Sequence, residues 1–404
     1  MKTAWITKSL GTVTSKIGSG ATPLGGEEAY KATGIALIRS LNVHDHGFRE
    51  IKLARIDDQQ ADRLSNVVVE RNDVLLNITG ASVARCCVVP DHALPARVNQ
   101  HVSIIRPIKE KLNPTFLHYL LISNVYKDRL LQTGEEGGAT RQAITKAQLQ
   151  DFAITFPESL SEQQRIVEIL EGELDGVALA RANAEKNLQN ARAIFDSHLE
   201  SILTQRGPGW IDRTLDQVCL VERGSSPRPI KDYFTTNSDG VNWIKIGDTE
   251  EGGKYVFSTA QKITPEGAKQ SRFVKEGDFI LTNSMSFGRP YIMKTSGYIH
   301  DGWFVLRLNI SIDTDYFYYL LSSNFVQSQF ARLASGSVVK NISGDLVKRA
   351  ILPIPPLPHQ HIIVKRLLEL SAETQRLASL YERKLAALDA LGKSLLHQAF
   401  TGKL

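Results

Sequence analysis

A few stretches of this chain combine residue types that could do chemistry. Asn113-Pro-Thr-Phe116 comes nearest to the Asn/Asp-Pro-Pro-aromatic loop that would hold the amino group of a flipped adenine beside a methyl donor. Its third position is Thr, and the stretch returns as Asp313-Thr-Asp-Tyr316, so it reads as a helix start with Asn or Asp at the N-cap. His44-Asp-His46 could hold a metal ion, but no third ligand lies near it in the sequence and an exposed polar loop accounts for it better. Gly18-Ser-Gly20 lacks the third glycine of a dinucleotide loop, and no Walker A sequence occurs, so ATP binding by this chain is not expected. Cys86 and Cys87 are adjacent and Cys219 is remote, which fits neither a disulfide framework nor C-x-x-C zinc spacing. These cysteines read as small buried hydrophobes in a reducing compartment.

The elements around these residues alternate between two textures. Short β-like runs, Ile35 to Ile38, Val74 to Ile78, Cys86 to Val89 and Val102 to Ile105, are separated by Gly, Pro, Asn and Asp. An amphipathic helix is predicted from Pro114 to Leu131, with proline well placed in its first turn. A second set of runs, Val241 to Ile246, Phe279 to Leu281, Tyr291 to Met293 and Trp303 to Leu308, precedes a predicted helix from Asp315 to Leu333. Each half is therefore an α+β domain.

After Pro157 the texture changes to apolar residues at alternating steps of three and four. Leu170, Leu174, Val177, Arg181, Ala184, Leu188, Ala191, Phe195, His198 and Ile202 form one seam. Leu367, Leu370, Thr374, Leu377, Tyr381, Leu385, Leu388, Leu391 and Leu395 form another. Each predicts a helix of roughly 60 Å at about 1.5 Å per residue, too long to bury its stripe without a partner. Matching length and heptads predict that the two helices pair with each other as an antiparallel coiled coil.

The two textures are repeated in order. Asn113-Pro-Thr-Phe-Leu-His-Tyr-Leu-Leu-Ile-Ser-Asn124 returns as Asp313-Thr-Asp-Tyr-Phe-Tyr-Tyr-Leu-Leu-Ser-Ser-Asn324, and Val69-Glu-Arg-Asn-Asp-Val-Leu-Leu76 as Val274-Lys-Glu-Gly-Asp-Phe-Ile-Leu281. So long a period means a duplicated domain and not a solenoid. Apolar anchors agree between the copies while polar loops differ, as in one scaffold carrying two binding surfaces. The boundaries read as 1–156 and 207–354 for the globular domains, and 157–206 and 355–404 for the helical regions.

At 404 residues, 42% hydrophobic and 23% charged, the chain has room for two or three domains, and its net charge of +5 permits a polyanionic partner without requiring one. The N-terminus lacks the apolar core of a secretory signal and no run is long enough to span a membrane, so a cytoplasmic location and no membrane partner are expected.

The ordered set of motifs resembles the specificity subunit of type I restriction-modification systems over the whole chain. Phe156-Pro157 followed by Leu160-Ser-Glu-Gln-Gln-Arg-Ile-Val-Glu-Ile-Leu170 is answered by Ile354-Pro-Pro-Leu-Pro-His-Gln-His-Ile-Ile-Val364, and Ser394-Leu-Leu-His-Gln-Ala-Phe-Thr-Gly-Lys-Leu404 is similar to the family's ending. A departure is His359-Gln-His361, where the first copy has Glu162-Gln-Gln164. The resemblance implies two target-recognition domains, held with pseudo-two-fold symmetry, each followed by a long helix. It implies a non-catalytic chain that binds double-stranded DNA at an asymmetric bipartite site, one half per domain, with a spacer set by the helices. The implied partners are two modification (methyltransferase) subunits and the restriction (translocase/nuclease) subunits. S-adenosylmethionine, ATP and Mg are expected on those partners and no cofactor or metal on this chain. The alternatives are a structural adaptor that does not bind DNA, and a methyltransferase or nuclease with unrecognised motifs.

If DNA is the target, base readout needs paired donors and acceptors on loops, with serines, lysines and backbone amides holding phosphates. Candidates should lie where the copies differ. In the first domain they are Ser19 and Thr22; Arg39, Asn42, His44 and His46; Asn77, Thr79 and Arg85; Asn99 and Gln100; and Thr140, Arg141 and Gln142. In the second they are Arg223, Ser225, Ser226 and Arg228; Lys245 and Asp248; Asn283, Ser286 and Arg289; His300; and Lys340 and Asn341. Each has an ordinary solvated-loop alternative, and Arg85 and Arg289 could instead start strands and pair with a carboxylate. Pro23 and Pro227 each stiffen a short Gly/Ser/Thr run. Arg141→Ala is expected to weaken one half-site by roughly 1–3 kcal/mol if Arg141 makes a bidentate base contact.

Overall fold

Val74, Leu75 and Leu76 stand in one strand, and all three are fully buried. Side chains alternate along a strand, so Val74 and Leu76 enter one apolar cluster while Leu75 enters another. Phe279, Ile280 and Leu281 repeat the division in the second half of the chain. Each of these strands thus separates two cores, which accounts for its continuous apolar run.

The computed structural model describes residues 4–135, 143–250, 252–283, 288–334 and 344–401. The chain forms two compact units, Met1–Ala184 with Arg383–Leu404, and Glu185–Glu382.

In the first unit, an antiparallel sheet has the order Thr14–Ser19, Val102–Pro107, Val74–Asn77, Cys86–Val88. A second sheet has the order Ala54–Ile56, Ile35–Ile38, Ala96–Val98, Val68–Val69, with Ile35–Ile38 and Ala96–Val98 parallel. Trp5–Ser9 pairs with Ala153–Pro157, closing the domain just before the long helix Leu160–Thr204.

The second unit repeats this plan. One sheet runs Cys219–Arg223, Trp303–Leu308, Phe279–Thr282, Pro290–Met293, Tyr255–Val256. The other runs Phe234–Thr235, Gln261–Ile263, Val241–Ile244, Gly297–Ile299, Arg272–Val274. Ile211–Thr214 pairs with Ile351–Ile354 just before the helix Leu357–Phe400.

One helix was expected in each domain where two are found, Pro114–Ile122 and Asn124–Glu135, then Thr314–Ser322 and Asn324–Ala334. Ser123 and Ser323 cause the break. Both are extended, and their Oγ atoms donate to Leu120 O at 2.7 Å and to Leu320 O at 2.6 Å. A serine hydroxyl that bonds the local backbone offers the chain an alternative to the helix. The helix starts themselves are as expected, since Asn113 accepts from Phe116 N and Asp313 from Tyr316 N, both at 3.0 Å.

The long helices pair in antiparallel fashion. In the first unit Leu170 and Leu174 share a cluster with Leu395, Leu396, Ala399 and Phe400. In the second, Phe195, Leu199, Ile202 and Leu203 share one with Val364 and Leu367. Arg181 pairs with Asp389 in the first unit, and Arg192 with Glu382 at 2.9 Å in the second. Val177, Leu188, Leu370, Leu377, Tyr381, Leu385 and Leu388 are half-buried. Leu391 departs from the expected seam: it is exposed, and Gly392 takes the inward place against Leu174. Steps from Tyr381 to 385, 388, 392, 395 and 399 alternate four and three, and Leu391 would break that alternation. His198 is likewise exposed while Leu199 and Leu203, on the neighbouring face of the helix, are buried in the core of the second domain.

Candidate nucleic-acid interface

Three of the nominated loops meet in each domain, those of Thr22, Thr79 and Gln100 in the first and those of Arg223 to Arg228, Asn283 and His300 in the second. In the first, the chain leaves strand Thr14–Ser19 at Gly20, whose N–H donates to Asn99 O at 3.1 Å. Thr22 Oγ1 then donates to Gln100 Oε1 at 2.6 Å. Gln100 Nε2 lies 3.0 Å from His101 Nε2, and His101 Nδ1 lies against Thr79 Oγ1. A hydrogen-bonded row therefore ties together three loops, with Ser19 half-buried opposite Ser103 just before it.

In the second domain the chain leaves Cys219–Arg223 at Gly224, whose N–H donates to Trp303 O at 2.8 Å. Ser226 Oγ donates to Asp301 Oδ1 at 2.7 Å, and Arg228 Nη2 lies 3.2 Å from Asp301 Oδ2. Arg223 Nε donates to Asp301 O at 3.3 Å, and Ser225 Oγ to Gln270 O at 2.7 Å. Burial opposes the charge on Asp301, yet the Ser226 hydroxyl, its own amide, His300 and Arg228 together hold its carboxyl below the usual value.

Several nominated side chains are part of the framework beneath these loops. Asn42 is fully buried, accepting from Arg39 N at 3.1 Å and donating to Arg49 O at 2.8 Å. Asp248, half-buried, caps the matching turn by accepting from Lys245 N at 2.7 Å and from Ala260 N at 3.0 Å. Asn77, also fully buried, donates to Ser40 O at 2.9 Å, and Asn283 to Asp301 O at 2.7 Å. Asn99 is nearly buried and accepts from His101 N at 3.0 Å. These side chains stabilise turns, and the buried amides of Asn42, Asn77, Asn99 and Asn283 have no edge to offer a base.

His300 also faces inward, its ring nitrogens near Ile246 N at 3.3 Å and Gly302 N at 2.8 Å. Burial pushes its imidazole below the ordinary value, and Asp301 only partly offsets this. Arg39 is held under its loop, with Nη2 donating to Lys52 O at 2.6 Å and its guanidinium over the Tyr30 ring.

The other nominated side chains lie nearer the surface. His44 bonds Leu41 O at 3.0 Å, and His46 is exposed. Asp45 between them accepts from Cys86 N at 3.1 Å and pairs with Lys127. Among the described residues no three His, Cys, Asp or Glu are grouped to hold a metal ion. Arg85, Lys245 and Arg289 are half-buried, and Arg289 N donates to Thr282 Oγ1 at 2.9 Å. Thr140, Arg141, Gln142, Ser286, Lys340 and Asn341 lie outside the described residues.

Sequence reasoning missed His101 and Asp301. Their signal was position: each follows a nominated residue, in the turn that the second copy shares with the first.

Comparison with known proteins agrees with the duplication. A family model described as the type I restriction modification DNA specificity domain matches residues 5–185 and again 208–382. The type I restriction enzyme EcoDI specificity subunit of Escherichia coli is 25% identical over 342 residues, covering 76% of this chain and 73% of that protein. Among solved structures, a chain from a study of complex assembly and conformational transition of the type I R-M system matches with a TM-score of 0.80 at 19% identity, over 100% of both chains. The HsdS subunit from Thermoanaerobacter tengcongensis matches with a TM-score of 0.64 at 20% identity, over 99% of this chain and 97% of that one. With both halves matched by the same model, on a fold shared from end to end with such chains, this protein belongs to the type I restriction modification DNA specificity family.

Proposed function

We propose that this chain is the DNA-sequence specificity subunit of a type I restriction-modification complex. It reads an asymmetric bipartite duplex site, one half per domain, and leaves chemistry to its partners. The observation that carries this is the double match of the specificity-domain model, to residues 5–185 and 208–382. Supporting it, the copied residues are apolar cores and turn caps, whereas the differing residues, Gln100 against Asp301 and Leu24 against Arg228, stand at loop tips. On this reading two modification subunits bring S-adenosylmethionine for adenine methylation, and restriction subunits bring ATP and Mg.

Binding of the full chain to randomised duplexes, with and without its co-expressed modification subunit, tests the proposal. Selection of a two-part sequence is expected, with affinity falling as salt rises because phosphate contacts release counterions. No duplex binding in either setting would favour a protein-binding adaptor. Methylation or cleavage by the purified chain alone would make it an enzyme.

A further inference from the structure

Gly20-Ala-Thr-Pro23 and Gly224-Ser-Ser-Pro227 occupy the same place in the two domains. Ser19 pairs with Ser103 as Arg223 pairs with Phe304, and Val102 pairs with Asn77 as Trp303 pairs with Thr282. The turn between is also the same, since Val102 N donates to Asn99 O and Trp303 N to His300 O. Both glycines pass close to it: a Cβ on Gly20 would lie 1.8 Å from Val98 O, and one on Gly224 2.1 Å from His300 O. The close approach lets Thr22 reach Gln100 and lets Ser226 reach Asp301. One clasp thus holds two different displays.

In the first domain the display is an amide. Thr22 takes one lone pair of Gln100 Oε1 and His101 faces Nε2, which leaves one acceptor and one donor on the same side chain. Turning the amide over would also require His101 to change tautomer against Thr79. The neighbouring position holds Leu24, 69% exposed. In the second domain the corresponding neighbour is Arg228, whose side chain is 78% exposed and held from one side by Asp301. Its remaining N–H groups supply donors only.

We infer that this clasped corner is a base-reading position in each domain, with Gln100 reading adenine in an A·T pair and Arg228, held by Asp301, reading guanine in a G·C pair. The inference rests on the proposed DNA-reading function. Adenine offers N7 as acceptor and N6–H as donor in the major groove, which complements the donor and acceptor left on Gln100. Guanine offers N7 and O6, both acceptors, which complement the two donors of a guanidinium. The carboxylate orients that guanidinium by a charge-assisted hydrogen bond. Leu24 adds apolar surface suited to the thymine methyl group and has no donor for guanine.

The test is selection from randomised duplexes by the full chain co-purified with its modification subunit, followed by sequencing. One half-site is expected to require an A·T pair that Gln100→Ala no longer discriminates, a loss of about ten- to one-hundredfold at that position only. Arg228→Ala is expected to erase discrimination at a G·C pair in the other half-site. Gln100→Glu, which keeps size and turns the side chain into an acceptor only, is expected to shift the preference from adenine toward cytosine. That shift carries the test if the alanine variants fail to fold. A wild-type target that is specific but unaltered by these variants, or weakened uniformly across sequences, overturns the base assignments and leaves the DNA-reading function standing. A wild-type chain that selects no sequence overturns that function and the inference with it.

Discussion

Gln163 Oε1 accepts the backbone N–H of Asn113 at 2.8 Å, joining the first long helix to the N-cap of the domain helix Pro114–Ile122. Its Nε2 donates to Pro157 O at 2.8 Å and to Lys111 O at 3.0 Å, and the side chain is fully buried. Gln360 repeats the joint, accepting from Asp313 N at 2.7 Å and donating to Pro355 O at 2.8 Å. The residues beside it are free to differ. Gln164 accepts from Asn113 Nδ2 at 2.9 Å, whereas His361 Nε2 lies 3.6 Å from Asp313 Oδ2. The His359-Gln-His361 departure therefore preserves the residue that fixes the helix.

Gln163→Ala removes three hydrogen bonds and leaves a buried N–H and two carbonyls without that partner. The expected cost is about 3 kcal/mol, because an unsatisfied buried group forfeits its desolvation energy. Thermal unfolding measures it, and a melting temperature equal to wild type would show that the joint contributes nothing.

Arg106 and Arg307 form a second repeated device. Arg106 Nε lies 2.7 Å from Oδ1 of the fully buried Asp73, and Arg307 Nε lies 3.2 Å from Oδ2 of Asp278. Both guanidiniums also reach a backbone carbonyl, Val68 O at 3.0 Å and Phe273 O at 2.6 Å. Arg106→Ala strands a buried carboxylate and is expected to cost about 3–5 kcal/mol. The double change Arg106→Met with Asp73→Leu is expected to recover part of that loss, since apolar residues avoid the desolvation of both charges but leave Glu70 N–H, which donates to Asp73 Oδ2 at 2.7 Å, without its acceptor. Denaturant midpoints of the two variants decide it; a double variant no more stable than the single one would contradict the account.

How far the sequence reveals this architecture depends on the range of the interaction. Repeated strands, helix starts at Asn113 and Asp313, and paired heptads are local patterns, and all were legible. Asp73 and Asp278 were visible as copied residues, but their arginine partners come from a distant strand. Asn42, Asn77 and Asn283 were nominated as base readers because polar loop residues read alike whether they face solvent or stabilise a turn. Only the fold distinguishes them, by burying some amides among backbone carbonyls. The breaks at Ser123 and Ser323 escaped notice because a helix and a serine-turned helix pair share one apolar periodicity.

A pH dependence follows from His300. Burial lowers its folded-state value below the ordinary one near 6.5, so the unfolded chain binds the proton more readily. Stability contributed by the neutral ring is complete above about pH 6.5 and is lost as pH falls below it toward the folded value. His118, lowered by burial although Asp45 draws it upward, adds in the same direction. Melting temperatures are expected to fall between about pH 7 and 5.5, and His300→Gln is expected to flatten part of that slope. A variant with the wild-type slope would assign the effect to other groups.

The seam of the long helices makes a sharper contrast between two leucines that look equivalent in sequence. Leu367 is fully buried, packed with Val364 in the same cluster as Phe195 and Leu203, whereas Leu391 is 47% exposed beside the inward Gly392. Leu367→Ala is expected to cost about 2–5 kcal/mol, the lost transfer energy plus that of the cavity left behind. Leu391→Ala is expected to change stability by no more than about 0.5 kcal/mol, as for other surface substitutions. Gly392→Ala instead places a Cβ 3.9 Å from Leu174 Cδ2, an ordinary contact, and is expected to stabilise by about 0.5–1 kcal/mol, the cost of a glycine in a helix interior. Urea titration of the three variants ranks them. If Leu391→Ala proves as costly as Leu367→Ala, the seam runs through Leu391, and the alternation of four and three that selects Gly392 is not the rule this helix follows.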